Sequence, residues 1–358
     1  MRDGTDFVEL ARIWRGPLVE SVHRGTVVVA DFEGRLVGSW GDAGLMTFPR
    51  SSLKPFQAMA LVESGAADAF GLSDEYIAMA CASHDAEPFQ TGLVGNWLGR
   101  LGLTEEALVC GPALPRREDD MATAFAQGGP RRLYHNCSGK HCGFLTVAKH
   151  LGAGLDYARP DHPAQKLYLD ILSDYLGRDA TKLPVGRDGC GLPTLALPMR
   201  DLSRAAARLG LGYSGNAARR AAAKRVLGAM TAYPDHLSGL DSPTARIVRA
   251  TGGRVAVKGG AEGFVMAVVP DRGLGITIKI ADGAARAKYG VLARTLGHFG
   301  VLPTAEAEAL VESVNGQITD STGAVVGGTE IVFETPVPTS ETKATLGFWL
   351  GGVKEAFF

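Results

Sequence analysis

The chain has 358 residues, with 37 Lys and Arg against 38 Asp and Glu, for a formal net charge of −1. That balance excludes the basic footprint of a nucleic-acid protein and offers nothing to an anionic membrane surface. The length exceeds the usual single core, so one large bilobed domain or two domains are expected.

Met1-Arg2-Asp3-Gly4-Thr5-Asp6 opens the chain with no apolar signal core behind it. Thr26-Val27-Val28-Val29-Ala30 and Arg35-Leu36-Val37-Gly38-Ser39-Trp40 flank the turn signal Asp31-Phe32-Glu33-Gly34 and predict a β-hairpin. Residues 51–250 read as mainly helical, with a long Ala-rich run over 205–230 and capping candidates at Ser73, Thr104 and Ser214. Strands return at 254–258, 264–269 and 275–280, followed by a helix near 284–296. The longest apolar runs, such as 264–270, are too short to span a bilayer. Five cysteines, an odd count at irregular spacing, argue for reduced thiols and a soluble cytoplasmic protein.

Strands, then helices, then strands predict an α+β fold rather than a doubly wound parallel sheet. The expected architecture is an antiparallel sheet built from both chain ends, with a helical region inserted between them. Its sheet-containing part would be 15–52 plus 251–335 and its helical part 53–250. The tail 336–358 has no assigned role.

Five segments carry reactive residue types. Ser51 and Lys54 stand three apart where an extended segment turns into a helix, so their side chains share a face. A serine hydroxyl is a weak nucleophile until a base takes its proton, and a neutral lysine can be that base. The same S-x-x-K pattern recurs at Ser340-Glu341-Thr342-Lys343 without a following apolar helix, and reads as chance there.

Cys81-Ala82-Ser83-His84-Asp85 ends a helical stretch. His135-Asn136-Cys137-Ser138-Gly139-Lys140-His141-Cys142-Gly143 is dense in ligand-type residues before an apolar helix. Gly186-Arg187-Asp188-Gly189-Cys190-Gly191-Leu192-Pro193 sets three glycines around an aspartate and a cysteine. Val257-Lys258-Gly259-Gly260-Ala261-Glu262-Gly263 places a lysine at a strand end. Small residues there let a ligand approach the backbone and leave amides to hold an oxyanion. The plainer alternatives are buried thiols packing as small apolar groups at Cys137 and Cys190 and a simple turn after Lys258. His23, His150, His162, His236 and His298 read as surface or satisfied core residues, and Glu118-Asp119-Asp120 as a solvated loop.

Together these motifs, with Arg15-Gly16, Glu20-Ser21, His23-Arg24-Gly25 and Ile280-Ala281-Asp282-Gly283, resemble the rhizobial-type (class 3, asparaginase II) L-asparaginases from about Arg15 to Gly327. The resemblance implies a serine β-lactamase-like fold. It implies that Ser51 is the acylated nucleophile and Lys54 its base, with Ser83 and Lys258 as a second Ser–Lys pair. Asp188 would bind or orient the substrate's α-amino group. Arg50, His141, Gly259 and Glu262 are expected to bind substrate with it.

A zinc ion held by Cys137, Lys140 and Cys190, completed by water, and a homodimer are implied as well. A helix starting near Ser138 would keep Cys137 and Lys140 within one turn. Cys142 would then point roughly 140° away from Cys137 at ~100° per residue, a poor chelate. A serine–lysine reaction needs no metal-bound nucleophile, so the metal is expected to orient substrate or brace the site.

The reaction implied is hydrolysis of a small amino-acid amide, L-asparagine, to L-aspartate and ammonia. Glutaminase, D-peptidase or β-lactamase chemistry on the same scaffold is the alternative, since fold does not fix substrate. A non-enzymatic zinc-stapled binding protein is the rival from another class.

Overall fold

The computed structural model describes residues 7–333. The tail 336–358, with its Ser340-to-Lys343 motif, and the first six residues lie outside that range. Among the described residues no helix is long and apolar enough to cross a membrane. Two compact units emerge among the described residues, one from 7–46, 198–211 and 262–333, the other from 47–197 and 212–261.

The first unit is an antiparallel sheet built from both chain ends. Its strands are β1 (Val8–Arg15), β2 (Leu18–Asp31), β3 (Leu36–Trp40), β4 (Phe264–Val269), β5 (Leu274–Ile280), β6 (Gln317–Thr319) and β7 (Val325–Ile331). Their order is β6-β7-β1-β2-β5-β4. The long β2 pairs with β1 through Leu18–Gly25 and with β3 through Val27–Ala30.

The β2–β3 hairpin forms where expected because Asp31 organises its turn. The Asp31 carboxylate accepts from the amides of Glu33 and Arg35 and from Arg35 Nε. Val27 to Ala30 are fully buried, and burying each valine side chain contributes about 1.5–3 kcal/mol. The helix Met199–Leu211 covers the sheet so closely that a Cβ on Gly275 would lie 1.9 Å from the Ser203 carbonyl oxygen. Ser203 Oγ bonds the Val28 carbonyl at 3.1 Å and Thr277 Oγ1 at 2.7 Å beneath it.

The second unit is mainly helical. Its centre is the helix Lys54–Glu63, which packs against Asp74–Cys81, Ser138–His150, Pro163–Leu176 and Ala217–Ala232. Arg219 is 6 % exposed and locks three of these helices by bonding Glu63, Asp170 and Asp174. A buried guanidinium is tolerable only with such partners. Ser138–His150 meets Asp74–Cys81 at Gly139, where a Cβ would come within 2.3 Å of the Met79 carbonyl oxygen. That contact sets the depth at which Ser138 and Lys140 enter the unit.

Several local expectations need correction. The run 205–230 holds two helices, Met199–Leu211 and Ala217–Ala232, and the cap expected between them at Ser214 lies two residues later. Asn216 caps the second, its Oδ1 accepting from the amides of Ala218 and Arg219. Glu118, Asp119 and Asp120 are not a loop but the first turn of Glu118–Ala126, where carboxylates complement the helix dipole. The helix placed near 284–296 starts later, at Lys288–His298.

Candidate active site

The chain enters the helical unit through the short 3-10 turn Arg50–Leu53, which runs straight into the helix Lys54–Glu63. Pro55 sits in the first turn, where its missing N–H removes nothing. In 3-10 geometry residues i and i+3 eclipse, so Ser51 and Lys54 rise from the same side of the turn. Arg50 has φ 54°, a left-handed conformation that costs a non-glycine residue roughly 1–2 kcal/mol. It is held there by its Nε–H donating to Asp188 Oδ1 at 2.5 Å. Ser52 Oγ ties the same turn to the Lys258 carbonyl at 2.9 Å.

Lys54 is wholly buried. Its Nζ donates to the Ala82 carbonyl and lies 3.1 Å from Ser83 Oγ. Among the described residues no hydrogen bond joins that amine to Ser51. Lys258 is 1 % exposed, and its Nζ lies 2.9 Å from the same Ser83 Oγ and donates to the Gly259 carbonyl at 2.7 Å. Ser83 Oγ is therefore bracketed by two amines. Burial pushes the Lys54 pKa down, and the Lys140 ammonium pushes the same way against the opposing pull of Cys137. A lysine so placed is on its way to being a base.

The Ser83 loop follows the helix Asp74–Cys81 and has no strand to hold it. Instead its consecutive amides donate to distant carbonyls: Ser83 to Leu237 at 2.8 Å, His84 to Asn136 at 3.2 Å and Asp85 to Ser238 at 2.7 Å. His84 is a brace. Its Nδ1 accepts from the Ala86 amide, so the ring in its neutral form donates from Nε2 to Ser138 Oγ at 2.7 Å, and Ser138 passes the bond to the Leu133 carbonyl. Burial drives the His84 pKa down to about 3, which keeps the ring uncharged. The sequence motif contained His84, but its role as a strut depends on a partner 54 positions away.

Asp188 and Cys190 sit in a hairpin loop between the short strands Val185–Arg187 and Pro193–Leu195. The Asp188 amide donates to the Leu192 carbonyl and the Gly191 amide to the Asp188 carbonyl, both at 2.9 Å. Lys140 Nζ lies 2.9 Å from Cys190 Sγ and 3.9 Å from Asp188 Oδ2. The neighbouring Cys190 thiol and the Lys54 and Lys140 ammonium charges draw the Cys137 thiol well below its ordinary pKa, against burial. Cys190, whose thiol donates to Asp188 Oδ2 at 3.8 Å, is raised by the neighbouring Cys137 and by burial. Burial works against the Lys140 ammonium, but the Cys137 and Cys190 sulfurs and Asp188 outweigh it and raise its pKa.

Of the three residues expected to hold a metal, Lys140 Nζ and Cys190 Sγ are in contact, and Cys137 immediately precedes the helix that carries Lys140. Among the described residues no cluster of three or more His, Cys, Asp or Glu side chains could hold a metal ion. Cys142 stands apart, its thiol pushed up by burial and its carbonyl accepting from Thr146 Oγ1.

The remaining candidates differ in placement. His141 Nδ1 lies 2.8 Å from Tyr157 Oη, while its buried Nε2 has no hydrogen-bond partner among the described residues. Glu262 belongs to the other unit, where its backbone has φ 55° and its carbonyl accepts from Lys279 Nζ at 2.7 Å. His23, read from sequence as unremarkable, pairs its Nδ1 with Asp282 Oδ2 at 2.7 Å in that unit. That contact joins two of the short motifs singled out from the sequence.

No curated protein matches the chain. Among solved structures, Mglu in its native form is 18 % identical, with a TM-score of 0.44 over 78 % of this chain and 64 % of that one. Mglu in its glutamate form is 18 % identical, with a TM-score of 0.42 over 78 % of this chain and 61 % of that one. A β-lactamase from Mycobacterium bovis is 14 % identical, with a TM-score of 0.37 over 81 % and 95 % of the two chains. The chain spans less than two thirds of the length of the Mglu structures. At the level of sequence families, the L-asparaginase II family matches residues 11–331, nearly the whole of the described chain. The chain belongs to the L-asparaginase II family.

Proposed function

We propose that this amidohydrolase converts L-asparagine to L-aspartate and ammonia through an acyl-enzyme on Ser51. The observation that carries the reading is the buried Lys54 amine, depressed in pKa and shared with Lys258 through one hydroxyl, Ser83 Oγ. Neutral Lys54 takes the Ser51 proton as Oγ attacks the side-chain amide carbon. The proton then passes to the departing amine, directly or through Ser83, and ammonia leaves. Water attacks the ester in the second half, giving up its proton to the same base and releasing aspartate. Asp188, fixed by Arg50, is the group that receives the substrate's α-ammonium.

Cys137, Lys140 and Cys190 would hold a zinc ion, whose charge would help fix the substrate's orientation. Lys140 would have to release its proton to serve as a ligand. A homodimer and a cytoplasmic location belong to the same reading.

A second assignment rests on one contact. Ser83, not Ser51, is the hydroxyl that both lysines touch, which favours Ser83 as the acylated group. A diazo-ketone analogue of asparagine followed by peptide mass spectrometry separates the two, because the label stays on the nucleophile. Ammonia release measured side by side from asparagine, glutamine and a penicillin tests the substrate. Label on neither serine, or no ammonia from any amide, would refute the proposal.

A further inference from the structure

The helical unit carries a cleft of about 460 Å3 lined by none of the residues assigned to hydrolysis. Its walls come from Phe89 and from 231–236, with Leu240 and Arg249 at its edge. Phe89 and Tyr233 each meet the His236 ring edge-on, at centroid distances of 5.1 and 5.5 Å. Phe89 is 36 % and Leu240 56 % exposed, so large apolar groups face open space within a concavity. Beside the rings, Arg249 Nη2 pairs with Asp235 Oδ2.

We propose that this cleft is a second ligand site, for a zwitterionic α-amino acid with an aromatic side chain. The ring group fits the aromatic wall, where edge-to-face contacts add to the burial of apolar area. The head group fits the ion pair: opposite charges one contact apart match the carboxylate and ammonium of an α-amino acid, carboxylate to Arg249 and ammonium to Asp235. A ligand with a single charge would satisfy one member of the pair and repel the other. Burial lowers the His236 pKa, so its ring adds no competing charge at neutral pH.

The frame is already set. Gln90 Nε2 donates to the carbonyls of Asp235 and Ser238 at 3.1 and 3.3 Å, and the Asp241 amide reaches Asp235 Oδ1 at 3.3 Å. Preorganisation of this kind lowers the ordering cost of binding a small ligand.

Calorimetric titration of the whole protein with L-phenylalanine, phenylacetate and phenethylamine tests the proposal without reference to hydrolysis. L-phenylalanine should bind with a dissociation constant on the order of 1 mM. Each single-charge analogue should bind at least about tenfold more weakly, a difference of roughly 1.4 kcal/mol. Arg249→Gln and Asp235→Asn should each weaken L-phenylalanine about tenfold, with unchanged circular dichroism as the control for folding. Phenethylamine or phenylacetate binding as tightly as the amino acid would overturn the proposal. So would unchanged affinity in both folded variants, or no saturable heat at ~20 mM ligand.

Discussion

Lys54 and Lys258 lie 204 positions apart in sequence, yet their amines reach one oxygen, Ser83 Oγ, at 3.1 and 2.9 Å. Two ammonium groups that close would repel, so the arrangement favours a state with one proton fewer. On the proposed mechanism the hydroxyl between them would join the amines into one titrating unit.

Activity should therefore rise along an alkaline limb that reports this unit. Replacing Lys258 by methionine removes a positive charge near Lys54, makes the Lys54 ammonium easier to keep, and moves the limb to higher pH. Comparison of pH–kcat profiles for wild type and Lys258→Met checks the sign. A limb that stays put or moves to lower pH would show that the two amines are not coupled. Ser51→Ala and Lys54→Ala should each abolish turnover without additive effects, since the pair acts together.

The buried Lys54 amine also has a stability signature. Its folded pKa is lowered by burial, whereas the unfolded chain titrates near ~10.4. As pH falls from the unfolded value towards the folded one, the unfolded state binds more protons and the wild type loses stability. Below the folded value that penalty is complete. Lys54→Met should thus gain more stability over wild type at pH 7 than at pH 10.5, even though it is inactive. Urea titrations at the two pH values measure the difference, and an equal gain at both would show that the amine is not depressed.

Substrate length should be read strictly. With Asp188 anchored by Arg50 in a hairpin loop, one additional methylene displaces the amide carbon, and a shift of ~1 Å can cost about a hundredfold. Asparagine should exceed glutamine in kcat/KM by about that factor. Equal values would remove Asp188 as the anchor.

Metal content separates the sulfurs. Purified protein should carry about one zinc per chain. Cys137→Ser or Cys190→Ser should lose it, and Cys142→Ser should keep it. Elemental analysis that finds zinc retained in Cys190→Ser would mean a different ligand set.

His84 offers a test of structure rather than catalysis. Its loss leaves the Ala86 amide and Ser138 Oγ short of a partner in a buried place, worth about 1–3 kcal/mol per orphaned group. His84→Leu should lower stability in denaturant by that order. Because burial holds the ring's pKa down to about 3, while the unfolded ring titrates near ~6.5, wild-type stability should fall as pH drops from about 6.5 towards about 3, the unfolded state alone taking up the proton. An equally steep loss in His84→Leu over that window would contradict the neutral strut.

The sheet was legible because its strands announce themselves locally. β-Branched runs at 26–30 and 264–269 and the Asp31 turn need no distant partner to be recognised. The Ser51/Lys54 spacing was legible for the same reason. What sequence could not supply was which hydroxyl each amine touches, because Lys54 finds Ser83 through helix packing set at Gly139 and elsewhere. Nor could spacing reveal that His23 meets Asp282 across 259 positions, or that Arg50 takes a left-handed backbone. Ser214 marked the break inside the 205–230 run, but the cap falls at Asn216, whose Oδ1 accepts from the amides of Ala218 and Arg219.

The three successive amides of Ser83, His84 and Asp85 give the loop after Asp74–Cys81 an unusual standing. None belongs to a helix or a sheet ladder, yet each is tied to a carbonyl from one of two distant stretches, Asn136 on one side and Leu237 and Ser238 on the other. Opening any one of them requires separating segments that the rest of the helical unit holds together. In exchange with heavy water this irregular loop should retain its protons with the persistence of core helix rather than surface turn. Its rigidity is thus lent by other parts of the chain, so distant changes near 136 or 237–238 would loosen it without touching a reacting group.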